Sequence, residues 1–266
     1  MPDIIHFSHA NSFPAPVYGK LLRALGQHYQ LGWLDCIGHD PQYPVTDCWP
    51  HLVAETIACL HSRYQQPVIG VGHSLGGYLL FYAAIRAPEL FKGLVILDSP
   101  LMGPRRAGFI WLAKKLGLID RITPGGNTLG RRDSWASVEM MHDYFARKPA
   151  FARFDPDCLA DYALHGSEDD GHGGRRLRFR PRIEHQIYCG LPHDFPRYRG
   201  QLTVPTAFVA ASRHDVVRPS DLRYMQRYFG MQLHEVGGSH LFPLEQPLAT
   251  AQTILQLLPD LLHKAQ

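Results

Sequence analysis

The sequence predicts an α/β protein with a parallel sheet, interrupted once by a large insertion. Short apolar runs alternate with amphipathic helical runs over the first hundred residues. The same rhythm returns after residue 200. Between them lies a hundred-residue stretch of different character. It holds 17 of the chain's 27 Lys and Arg but only half of its 24 Asp and Glu. The expected organisation is therefore a core made of residues 1–100 and 201–266, with residues 101–200 as an inserted, largely helical cap.

In order, Ile4-Ile5-His6-Phe7-Ser8 reads as a buried strand that ends at His9-Ala10-Asn11, where small residues and Pro14 and Pro16 start a loop. Val17 to Tyr29 has helical spacing through Tyr18, Leu21, Leu22 and Leu25. Leu31 to Asp35 is a short strand, and Trp49 to Tyr64 an amphipathic helix with Leu52, Val53, Ile57 and Leu60 on one face. Pro67-Val68-Ile69 leads a strand, Tyr78 to Ala84 a helix, and Lys92 to Asp98 another strand. Inside the insertion, Phe109–Leu118, Ser134–Phe145 and Asp155–Leu164 read as helices, and Arg175–Arg182 as a strand leaving a polar glycine-rich turn. The core then resumes with a strand over Thr203–Ala211, a helix over Arg218–Phe229, a strand over Gln232–Val236 and a closing helix over Pro247–Leu258.

Composition excludes several classes. With 266 residues, 45% hydrophobic and 19% charged, the chain has the material for one sizeable globular domain. A net charge of +3 is too small to point to nucleic acid. No basic, apolar leader opens the sequence and no apolar run approaches membrane-span length, so a cytoplasmic protein without a transmembrane segment is expected. The 5 cysteines are scattered and odd in number, which argues for reduced thiols over disulfides or zinc. The 16 histidines include no H-E-x-x-H and no cluster with clear metal-ligand spacing, so no metal is expected, and the serine chemistry described below calls for no cofactor.

The stretch with most chemical content is Ile69-Gly70-Val71-Gly72-His73-Ser74-Leu75-Gly76-Gly77-Tyr78. It places Gly72-x-Ser74-x-Gly76 between a strand and a helix. That context makes the serine a nucleophile on a strained turn, with its hydroxyl at the positive end of the next helix. A serine hydroxyl needs an imidazole to take its proton, and the imidazole needs a carboxylate to fix its tautomer.

Together with Gly72 to Gly77, the segments Ser212-Arg213-His214-Asp215-Val216-Val217 and Gly238-Ser239-His240-Leu241-Phe242-Pro243-Leu244-Glu245-Gln246-Pro247 resemble the α/β-hydrolase superfamily, over nearly all the chain outside the insertion. The resemblance implies an eight-stranded, mostly parallel sheet flanked by helices, with the cap between its sixth and seventh strands. It also implies a serine hydrolase of carboxylesterase or lipase type. In the superfamily's Ser…Asp…His order the catalytic residues are Ser74, Asp215 and His240. The alternative acid is Asp98, at the end of the Leu94–Leu97 strand, where some members carry it. The oxyanion hole falls to the N–H groups of Leu75 and of Asn11, with Ser12 or Phe13 as alternatives, because His9-Ala10-Asn11 replaces the family's His-Gly-x. His9 is expected to brace that loop, and His73 and His214 to be structural neighbours.

Serine at position 74 departs from the members that use aspartate there, so a carbonyl substrate giving an acyl-enzyme is expected over epoxide or haloalkane opening. The expected partner is a small acyl ester. Thioesters, lactones, C–C bonds of diketone-like acids and perhydrolysis are open on the same residues, and a non-catalytic binding protein is the reading from another class. In the insertion, the run Arg175 to Arg182 offers either attraction for an anionic substrate or a charged, solvated strand edge. Glu168, Asp169, Asp170 and His172 read as a polar turn.

Overall fold

The computed structural model describes residues 3–263. Its first half follows the apolar rhythm: β1 (Ile4–Ser8), a 3-10 turn at Ala15–Tyr18, α1 (Gly19–Leu25), β2 (Gln30–Trp33), α2 (Pro50–Arg63), β3 (Val68–His73), α3 (Leu75–Arg86) and β4 (Phe91–Leu97). The insertion then contributes α4 (Pro104–Lys115), α5 (Ile119–Ile122), β5 (Ser134–Trp135), α6 (Val138–Ala146), α7 (Pro156–His165), β6 (Ser167–Asp169), β7 (Arg175–Leu177) and α8 (Pro181–Cys189). The core closes with β8 (Thr206–Ala211), α9 (Pro219–Phe229), β9 (Gln232–Val236), α10 (Phe242–Glu245) and α11 (Pro247–His263).

The central sheet has the order β2-β1-β3-β4-β8-β9, and every pairing in it is parallel. It is the α/β sheet the sequence predicts, with six strands among the described residues where the resemblance implies eight. The difference lies at the β2 edge: β1 leads straight into the His9–Asn11 loop, and no described strand pairs outside β2. Alternate side chains go to opposite faces, as the two-residue strand period requires. Phe7, Val71, Val95 and Val209 pack with α1 and α11, whereas Val68, Leu94, Ile96 and Phe208 pack with α2, α3 and α9. Apolar helices on both faces are what allow an all-parallel sheet.

Between β4 and β8 the expectation of a helical insertion needs two amendments. Besides its helices, the segment carries a three-stranded antiparallel sheet of order β5-β7-β6. The strand expected over Arg175–Arg182 stops at Leu177, and Pro181 starts α8 instead. Proline's fixed φ suits a first helical position, and Ile183 and Ile187 then share one apolar face. Most of the arginine run is tied to nearby groups. Arg176 pairs with Glu168 at 2.9 Å, Arg178 with Asp35 at 3.0 Å, and Arg175 donates to Ser167 Oγ and Leu164 O, both at 3.0 Å. The closing helix also runs on through Pro259 to His263, beyond its expected end.

Three histidines of the core are buried without a carboxylate on the ring. His6 Nδ1 meets Tyr64 Oη at 3.0 Å, and burial, aided by Arg63, pushes its pKa down from 6.5 to about 3. Burial likewise lowers His9 to about 4 and holds His73 well below the usual range. Each ring titrates near 6.5 once unfolded, so below that pH the unfolded chain binds the extra protons. The stability that depends on the neutral rings is present above about pH 6.5 and is lost as the pH falls, at about 1.4 kcal/mol per pH unit for each ring. Urea unfolding should therefore show a clearly lower midpoint at about pH 5 than at about pH 7.5. Buried Glu55, whose pKa burial raises to about 7, works in the opposite direction, so equal midpoints would mean that the histidine contribution does not exceed that of the carboxyls.

Candidate active site

At the end of β3 the backbone turns abruptly into α3, and Ser74 takes φ 50° and ψ −114°. A non-glycine residue in that region is strained. The glycines around it are required by space. A Cβ on Gly72 would lie 2.6 Å from the Gly76 carbonyl carbon and the Gly77 nitrogen, and one on Gly76 would overlap the Ser8 carbonyl. Gly76 N–H instead donates to His9 O at 3.0 Å, joining the elbow to the loop after β1. Ser99 was not singled out by sequence, yet its hydroxyl donates to the Ser74 carbonyl at 2.7 Å and helps hold the turn.

Ser74 Oγ lies 3.0 Å from His240 Nε2, and His240 Nδ1 lies 2.7 Å from Asp98 Oδ2. With Nδ1–H donating to the carboxylate, Nε2 presents a lone pair to the serine hydroxyl. The group on His240 is thus Asp98, not Asp215. Asp98 follows β4, the strand beside β3, and its φ of 52° folds the side chain back across the end of the sheet. Its other oxygen accepts Ala211 N–H at 2.9 Å, and the residue is 1% exposed. Asp215 stands on the loop after β8, exposed to solvent, and makes no hydrogen bond to His240. Its neighbour His214 faces Glu235 at 3.5 Å.

Two further histidines brace this arrangement. His9 Nε2 accepts Ile37 N–H at 2.9 Å, which leaves Nδ1–H to donate to Ala10 O at 2.8 Å. His73 Nε2–H donates to the His240 carbonyl at 2.8 Å, so its Nδ1 accepts from Tyr18 Oη, also at 2.8 Å. Tyr18 in turn accepts Ala10 N–H at 3.4 Å. One chain of hydrogen bonds therefore links the loop after β1 to the backbone of His240. The signal for Tyr18 in the sequence was only a helical apolar pattern. On the other side of His240, Glu245 takes both the N–H and the hydroxyl of Ser239, at 2.9 and 2.6 Å.

Among the described residues, Asn11 N–H and Leu75 N–H donate to no protein atom, and both flank the elbow. Residues between β4 and β8 reach Asn11. Its side chain donates to Glu184 O at 3.2 Å, and buried Glu184 is paired with Arg131 at 2.8 Å. Arg131 also donates to Ser12 Oγ at 3.0 Å. A cleft of about 990 Å³ between α4 and α9, lined by Arg106, Ile110, Asp221 and Tyr224 among others, includes none of Ser74, Asp98 or His240. Its residues are used elsewhere: Arg106 is ion-paired to Asp221, and Arg199 stacks on Tyr224 and Tyr228.

The chain is similar to several known proteins. Residues 7–253 match the model of the alpha/beta hydrolase family. A type I acyl-CoA thioesterase of Penicillium brevicompactum is 28% identical over 167 residues, 58% of this chain and 36% of that protein. The chain spans about a third of the length of the curated relatives it matches. Among solved structures, an E-2-(acetamidomethylene)succinate hydrolase superposes with a TM-score of 0.77 at 20% identity, covering 97% of this chain and 91% of that one. An esterase of M. tuberculosis superposes with a TM-score of 0.72, also at 20% identity, covering 97% and 85%. No helix of the described residues is long and apolar enough to cross a membrane. With the family model matched from residue 7 to residue 253 and the parallel sheet and serine elbow in place, the chain belongs to the alpha/beta hydrolase family.

Proposed function

We propose that this chain is a serine hydrolase that cleaves a small carboxylic ester through an acyl-enzyme. The observation that carries the reading is the unbroken line from Asp98 Oδ2 through His240 to Ser74 Oγ, at 2.7 and 3.0 Å. In the first half-reaction Ser74 Oγ attacks the ester carbonyl carbon as its proton passes to His240 Nε2. The Asp98 carboxylate stabilises the imidazolium. The negative charge on the former carbonyl oxygen falls to Leu75 N–H and Asn11 N–H, at the positive end of α3, each such donor contributing about 3 kcal/mol. As the tetrahedral adduct collapses, the carbon–oxygen bond to the alcohol breaks and His240 returns its proton to the leaving oxygen. Water then repeats the sequence on the acyl-serine, releasing the acid and restoring Ser74. These steps use only side chains and backbone of this chain and require no cofactor.

The domain division fits the same reading. Residues 101–200 would act as the cap that selects the acyl group, since Glu184 and Arg131 of that segment hold the loop bearing Asn11. A thioester substrate is the second reading, supported by the partial similarity to the acyl-CoA thioesterase. It uses the same residues, with a thiolate leaving in place of an alkoxide.

A fluorophosphonate probe should label the wild type and fail to label Ser74→Ala, with ester turnover falling about 10⁶-fold in that variant. Equal labelling of the two would overturn the assignment of the nucleophile. Asp98→Asn should lower kcat about 10⁴-fold, because an amide at that place favours the wrong imidazole tautomer. Asp215→Asn, at an exposed position, should change kcat by no more than about twofold. The reverse result would return the acid to Asp215. Matched oxygen and sulfur esters of rising acyl length separate the two substrate readings: kcat/KM should favour the oxygen ester, and a preference for the acyl-CoA would favour the thioesterase.

A further inference from the structure

On α8, His185 and Cys189 lie one helical turn apart, and both side chains meet Asp120 of α5. Cys189 Sγ is 3.5 Å from His185 Nε2 and 3.5 Å from Asp120 Oδ1, and His185 Nε2 is 3.0 Å from the same Asp120 oxygen. These separations have a recognisable scale. A tetrahedral zinc ion with metal–sulfur bonds of about 2.3 Å and metal–nitrogen and metal–oxygen bonds of about 2.0–2.1 Å sets its ligands about 3.6 Å apart for sulfur to nitrogen or oxygen, and about 3.3 Å apart for nitrogen to oxygen. The three atoms thus outline one face of such a tetrahedron to within a few tenths of an ångström. The fourth position faces away from that triangle and can take water.

We propose that Asp120, His185 and Cys189 form a binding site for a divalent transition-metal ion of the zinc class. The donor set is the mixed thiolate, imidazole and carboxylate combination such an ion takes. Binding replaces the thiol proton of Cys189 with the metal and releases that proton to solvent, so thiolate and carboxylate together neutralise the two charges of the ion. His185 and Cys189 are only partly buried and Asp120 is exposed, which leaves the ion a way in.

A second group of similar composition, Asp47, Cys48 and His193, does not carry the same inference. There Lys114 is ion-paired to Asp47 and its ammonium lies 3.3 Å from His193 Nδ1, so the place of a cation is already filled by the chain. No lysine or arginine is paired with Asp120 among the described residues. The site also has a structural position worth holding. α8 carries Glu184, whose carbonyl accepts the Asn11 side chain, next to His185, so an ion bridging α5 and α8 would fix the helix that contacts the loop after β1.

The test uses the full chain, stripped with chelator and titrated with Co²⁺, then with Zn²⁺ in competition. The wild type should bind one equivalent with a thiolate-to-cobalt charge-transfer band, lose that band to Zn²⁺, and gain thermal stability as Zn²⁺ is added. Cys189→Ser and His185→Gln, each checked for native circular dichroism, should lose the band and the thermal shift, and Cys48→Ser should keep both. Absence of the band in wild type would overturn the proposal. So would a band that survives in both Cys189→Ser and His185→Gln, or one that disappears in Cys48→Ser alone.

Discussion

A carboxylate at 1% exposure must have its oxygens satisfied, because an ionised group without partners is far too costly inside a protein. Asp98 meets that demand with Ala211 N–H on one oxygen and His240 Nδ1 on the other. Its own N–H donates to Val209 O at 2.9 Å. One side chain therefore ties together the carboxyl ends of β4 and β8 and the loop after β9. The orientation of His240, whose Nε2 faces Ser74 Oγ at 3.0 Å, depends on this buried anchor.

The anchor works because the sheet order brings the right loops together. β1 and β3 are neighbours although their connections run to opposite sides, which opens the crevice where parallel α/β sheets bind ligands. Asn11 follows one of these strands and Ser74 the other. Next to β3 comes β4, with Asp98 at its end. The strained φ values of Ser74 (50°) and Asp98 (52°) occur in consecutive strand-end turns, and both turn a polar side chain back over the sheet. Tight contacts hold that strain: Gly76 against Ser8, Ser99 on the Ser74 carbonyl, and His73 on the His240 carbonyl.

The insertion adds a second level of constraint. Its Arg131–Glu184 pair and the Asn11 bond to Glu184 O link α8 to the loop after β1. The reach of α8 was not legible in the sequence. Arg175 to Arg182 alternates charged and apolar residues, which mimics a strand across Pro181, and the helix that starts there packs Ile187 into the interior beside Phe179. The cluster of Asp120, His185 and Cys189 was equally hidden, because 65 residues separate Asp120 from its histidine.

Sequence by itself determined the alternation of strands and helices, the elbow and its serine, and the histidine near the end of the chain. Those features are written in local pattern: apolar periodicity, glycines two residues either side of Ser74, and the run from Gly238 to Pro247. Only the tertiary structure decided which carboxylate meets His240. Asp98 and Asp215 both follow core strands in chain order, and the local pattern from Ser212 to Val217, which favours Asp215, carries no information on which side chain reaches His240. Strand adjacency and burial decide that: β4 lies beside β3 and sinks Asp98 under the imidazole, while the loop after β8 carries Asp215 out to solvent.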